Sequence, residues 1–121
     1  MNATPAITRI DHVNLSMPKG AEKVADTFYV DVLGLQTKTK PSVDAEGRWY
    51  VGAGFEIHLG ADAEFLPARR AHPAFVAKDL SELVELLRER GSDVDAQVHD
   101  GELSRAIVFD PFGNRIELLA K

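Results

Sequence analysis

The chain has 121 residues and a formal net charge of −5, enough for one compact unit or two small modules sharing a core. Apolar residues make up 45% and charged residues 27%, an ordinary globular balance that excludes wholesale disorder, and the acidic charge argues against a nucleic-acid partner. There is no cysteine, so disulfides, thiolate nucleophiles, zinc fingers and iron–sulfur clusters are excluded together.

Residues 8–16 alternate, with Val13 and Leu15 between polar neighbours, and predict a strand. From Gly20 the period changes: Ala21, Val24, Ala25, Phe28 and Val32 fall on one face of a helix over 20–34 that stops at Gly34. Three short strands follow at 35–40, 48–51 and 55–60, broken by Pro41, Gly47 and the Gly52-Ala53-Gly54 turn. The order then starts again. A strand is expected at 72–77, with Pro73 restricting it to an edge or to its first residues. Asp79 and Glu82 have the spacing of a capping box, and Leu80, Leu83, Val84 and Leu87 continue a helix over 79–91 that Gly91 ends. Strands at 93–100, 104–110 and 115–120 complete the chain, the last two joined by Asp110-Pro111-Phe112-Gly113-Asn114, a turn sequence. The pattern is therefore β-α-β-β-β twice, an α+β fold of two modules, 7–66 and 67–121, within a single domain over 1–121. Curved, mixed sheets are expected, with the helices on their outer faces.

The halves match by number. His12 and His72 stand 60 positions apart, His58 and Glu117 59, and Gly34 and Gly91 57. Each repeat carries one ionisable residue at its first strand and one inside its last. Ile57 and Leu59 flank His58 as Ile116 and Leu118 flank Glu117, so alternation turns the polar pair to the face opposite the apolar neighbours. A lone strand histidine is more often a surface or hydrogen-bonded residue than a ligand; agreement in repeat phase sets these four apart. Three imidazoles and a carboxylate converging on one concave surface suit a divalent Mn, Fe, Co, Ni or Zn ion, and His12, His72 and Glu117 alone would leave positions open. Arg115 shares the Glu117 face and could meet an anionic substrate or form a surface ion pair. His99 reads as a solvated loop residue, and Trp49 and Tyr50 as packing or pocket lining. Gly52-Ala53-Gly54 lacks the third glycine and the helix of a dinucleotide fingerprint, and no nucleophile elbow or phosphate loop is present.

With these residues the chain resembles the vicinal oxygen chelate superfamily of glyoxalase I, bleomycin-resistance proteins, fosfomycin-modifying enzymes, methylmalonyl-CoA epimerase and extradiol dioxygenases. The resemblance rests on the duplicated module, Asp11-His12-Val13-Asn14-Leu15, residues 28–34, His72-Pro73-Ala74-Phe75 and residues 110–118, and covers nearly the whole chain. It implies a divalent metal (Zn, Ni, Mn, Co or Fe(II)) held by His12, His58, His72 and Glu117. That metal would chelate vicinal oxygens of a small substrate and stabilise an enediolate or oxyanion, in a lyase, isomerase or dioxygenase reaction. Glu117, the only carboxylate of the set, is the expected catalytic residue, able to shuttle a proton. The sequence departs from glyoxalase I at His58, where those enzymes carry glutamate, and residues 61–65 lack the asparagine that helps hold glutathione. Both departures point away from a strict glutathione-dependent glyoxalase I. The competing reading is a metal-free module that sequesters a drug or metabolite. The open edges of each sheet predict a homodimer. With no long apolar run and no basic-then-apolar leader, a cytoplasmic protein without a membrane partner is expected.

Overall fold

The computed structural model describes residues 4–40 and 46–121. Strands β1 (His12–Pro18), β2 (Gln36–Lys38), β3 (Arg48–Val51) and β4 (Glu56–Asp62) form a first sheet in the order β1-β4-β3-β2. Strands β5 (Ala74–Val76), β6 (Val94–His99), β7 (Glu102–Phe109) and β8 (Arg115–Leu119) form a second in the order β5-β8-β7-β6. In each sheet the first and last strands pair in parallel and the remaining neighbours antiparallel. A parallel pair needs a crossover, and the helix after each first strand begins it. The expected α+β fold of two β-α-β-β-β units with mixed sheets is the fold observed. Among the described residues, no helix is long and apolar enough to cross a membrane.

One core joins both halves. Ile57, Leu59 and Tyr50 of the first sheet and Ile116, Leu118 and Val108 of the second are buried together with the inner faces of the helices. Helix α2 (Leu80–Glu89) buries Leu80, Val84 and Leu87, each worth about 1.5–3 kcal/mol when fully removed from water. Asp79 Oδ1 accepts the Glu82 amide at 3.1 Å, so the Asp79 half of the capping box is made.

The first helix differs from the expected regular one. Helix α1 (Glu22–Asp26) continues into a wider turn over Thr27–Val32, where the Leu33 amide donates to Phe28 O, five residues back. Thr27, Phe28, Tyr29, Val30 and Val32 are β-branched or aromatic, types that crowd a regular helical turn. The extra residue shifts the helical phase. Val24, expected on the buried face, is half exposed, while Tyr29, four residues after the buried Ala25, is fully buried.

The turn after β7 locks the two halves. Asp110 Oδ1 accepts the amides of Phe112 and Asn114 at 2.9 and 2.8 Å, and its Oδ2 accepts the Tyr29 hydroxyl at 2.7 Å and Asn114 Nδ2 at 2.8 Å. Asn114 Nδ2 also donates to Ser16 O at 2.8 Å. A buried carboxylate with four donors thus ties the second sheet to β1 and to the first helix.

Candidate functional site

The faces turned away from the helices carry the polar residues that stood out in the sequence. On the first sheet, Lys38 stands opposite Trp49 and Trp49 opposite His58, a row running from β2 across β3 to β4. Directly opposed side chains share a face and touch. The Trp49 and His58 rings accordingly stack at 4.1 Å, and the His12 ring stacks on His58 at 4.0 Å. His58, clamped between two rings, keeps only 9% of its side chain exposed against 40% for His12. Trp49 and Tyr50 therefore divide the two roles left open by the sequence: Trp49 lines the open face, and Tyr50 packs in the core.

Each histidine has a partner that fixes its ring. Asp11 Oδ2 lies 3.0 Å from His12 Nδ1, and Glu56 Oε1 lies 2.9 Å from His58 Nε2. A carboxylate only accepts, so the ring nitrogen facing it carries the proton, leaving the lone pair on Nε2 of His12 and Nδ1 of His58. The hydrogen bond from His12 holds the Asp11 carboxyl below the usual carboxylate range. Hydrogen bonds from His58 and from Lys38, whose Nζ is 2.9 Å from Oε2, do the same for Glu56. Glu56 escaped the sequence reading although its signal was available. It stands two residues before His58 on one strand, and so on the same face.

On the second sheet, Glu117 stands opposite Ile107 on β7 and Ala74 on β5, and His72 reaches it from just before β5. His72 Nδ1 lies 2.7 Å from Arg70 O, and Nε2 lies 3.2 Å from Glu117 Oε1. Donation to the Arg70 carbonyl commits the Nδ1 proton. A neutral His72 then aims a lone pair from Nε2 at a carboxylate oxygen, two acceptors face to face. A proton or a metal cation reconciles them, and imidazole plus carboxylate is a borderline-hard donor pair of the kind that divalent transition metals take. Arg105 Nε lies 2.9 Å from the other oxygen, Oε2, off the line of its N–H, so the contact is Coulombic rather than an aligned hydrogen bond. Arg105 also was not singled out in the sequence; it shares the face of Ile107, two residues on.

The four residues expected to converge thus form two pairs, His12 with His58 and His72 with Glu117, one on each sheet. Among the described residues, no three His, Asp or Glu side chains of the chain are grouped to hold one ion. His99 ends β6, largely exposed, 3.4 Å from Asp100.

Residues 17–119 match the family model of the glyoxalase-like domain. The chain belongs to the glyoxalase-like family. Within the vicinal oxygen chelate superfamily, this glyoxalase-like chain is similar over 98% of its length to 99% of a Bacillus anthracis protein assigned to the glyoxalase family, with 35% identity and a TM-score of 0.87. It shares its fold with TnmS3, an antibiotic binding protein of Streptomyces sp. CB03234, at 24% identity, TM-score 0.73 and coverage of 97% and 98% of the two chains. It shares it also with a lactoylglutathione lyase of Agrobacterium tumefaciens at 19% identity, TM-score 0.73 and coverage of 96% of each. No curated protein matches the sequence.

Proposed function

We propose that this glyoxalase-like protein is a metal-dependent enzyme acting on a small molecule, with His12, His58, His72 and Glu117 as ligands of a divalent Zn, Ni, Mn, Co or Fe(II) ion. The observation that carries the reading is the His72–Glu117 pair, whose Nε2 and Oε1 face each other with the Nδ1 proton already committed to Arg70 O. Because each sheet of one chain offers half of the set, the complete set comes from two chains of a homodimer, His12 and His58 from one and His72 and Glu117 from the other. When bound, the ion supplies Lewis acidity toward two neighbouring oxygens of the substrate.

The rest of the chemistry belongs to the chain. Glu117 would act as the proton carrier with Oε1 out of the ion's shell, taking a proton from the substrate there and returning it, while Arg105 holds Oε2 in place. Asp11 orients His12, and Glu56 orients His58, each from the opposite nitrogen of the ring. Trp49 excludes water from one side of His58. Metal analysis of protein purified without chelators tests the reading. Near-stoichiometric metal in the wild type and its loss in His72→Ala are expected; metal-free wild type that also takes up none of these ions defeats it.

A second reading has its own observation. The Trp49–His58–His12 rings form a column on an open sheet face, whose edges and ends offer an aromatic ligand contact without any metal. A metal-free protein that protects Trp49 fluorescence from quenching when an aromatic drug is added favours this alternative.

A further inference from the structure

Arg115, the first residue of β8, lies on the Glu117 face of the second sheet, two residues before Glu117 and opposite Phe109. Its Nε is buried and has no hydrogen-bond partner, and no carboxylate among the described residues pairs with it. It lines a groove of about 920 Å³ beside the end of α2, together with Arg88, Asp93, Asp95, Ile107 and Phe109. The neighbouring cations are already committed: Arg88 Nη2 donates to Val94 O at 3.0 Å, and Arg105 serves Glu117 and Gln97. Because Nε is closed to solvent, a planar oxyanion in the groove meets the guanidinium through its outer nitrogens, Nη1 and Nη2, which have no partner among the described residues.

We propose that Arg115 is the anchor for the carboxylate of a small organic acid, the substrate class of the site at Glu117. Asp93 and Asp95 line the same groove and repel additional negative charge, which selects a monoanion over a phosphate dianion. Ile107 and Phe109 supply apolar wall for the body of the ligand. Along one strand face, residues two apart are separated by about 7 Å. A short acid held at Arg115 therefore extends along the strand face toward Glu117, which lies outside the groove's own lining. The inference rests on the reading of the Glu117 face as the small-molecule site, but carboxylate binding at Arg115 needs no metal.

The test is an NMR titration of the full-length, metal-free, ¹⁵N-labelled protein, following the Arg115 Nε–Hε signal. Sodium butyrate is expected to move it saturably, while butyramide and sodium chloride at matched ionic strength leave it in place. Phosphate is expected to bind more weakly than butyrate. Arg115→Gln is expected to weaken the butyrate response of the surrounding amides at least tenfold, whereas His72→Ala, which removes a proposed metal ligand, leaves it intact. A wild-type protein that takes up no divalent ion but retains the butyrate response would remove the metal reading alone. A wild-type signal that responds equally to butyrate, butyramide and chloride overturns the Arg115 proposal, whether or not Arg115→Gln folds. Tighter phosphate than butyrate overturns the monocarboxylate assignment.

Discussion

Tyr29 and Tyr50 stack at 5.2 Å inside the core, and each hydroxyl ends on a carboxylate, Asp110 and Asp26 respectively, at 2.7 Å. Burial first, and then the adjacent carboxylate, pushes both phenols far above their ordinary range. The sign follows directly. In the unfolded chain each phenol loses its proton above about pH 10, while in the native state it keeps it, so stability is full below that pH and falls as pH rises. The slope is about 1.4 kcal/mol per pH unit for each tyrosine. Urea unfolding of Tyr29→Phe between pH 9 and 11 should show about half the wild-type alkaline slope, on top of a pH-independent loss of about 1–3 kcal/mol from the donor removed from Asp110. An unchanged slope would mean that Tyr29 ionises in the native state. A second residue-scale expectation concerns Asp11. Because it fixes the His12 ring through Nδ1, Asp11→Ala should weaken metal binding by about 10–100-fold without touching a ligand. Calorimetric titration with Co or Zn measures this; an affinity equal to wild type would leave the Asp11–His12 bond without a role.

At the scale of elements, the caps and turns carry separable contributions. Asp79→Ala removes the side-chain acceptor for the Glu82 amide and should lower stability by about 1 kcal/mol in thermal unfolding. Two glycines with similar backbones should behave differently. Gly34 has φ +78° with open space where a Cβ would go, so Gly34→Ala should cost only the left-handed penalty of about 1–2 kcal/mol. Gly47 has φ +79°, but a Cβ there would stand 2.3 Å from Leu59 O, so Gly47→Ala should cost clearly more. Equal losses would mean that the β3–β4 packing yields to the methyl. These elements were legible in the sequence because alternation around Ile57, Leu59, Ile116 and Leu118 is strict and the helices end on glycine. Single-residue irregularities were not. The wide turn at Thr27–Val32 is one, because a 3.6-residue period has no place for an inserted residue. Where His99 reads as a solvated loop residue, Asp100-Gly101 turns a hairpin, both residues having the positive φ that a tight primed turn requires. The candidate site was legible by pairs, because repeat phase links His12 to His72 and His58 to Glu117. Contacts between strands were not, because the register that sets Trp49 opposite His58 is decided by pairing across the sheet.

For the whole molecule, duplication explains why the chain carries one pair on each sheet, His12 with His58 and His72 with Glu117, while no three His, Asp or Glu side chains are grouped among the described residues. Two sheets with open edges and a proposed half-site on each are expected to form a homodimer, which light scattering checks as a mass twice 13.3 kDa. A site shared between chains, as proposed, predicts what no in-chain site does. A first variant, His12→Ala with His58→Ala, loses the donors of the first sheet; a second, His72→Ala with Glu117→Gln, loses those of the second. Each variant alone should bind no divalent ion tightly. A mixed dimer of the two pairs the intact first sheet of one chain with the intact second sheet of the other. Titration of Zn or Co into the unmixed and mixed proteins is the most direct measurement. Recovery of one tight site per mixed dimer, absent from either variant alone, is the predicted result; no recovery on mixing, although mixed dimers form, would contradict a site shared between chains.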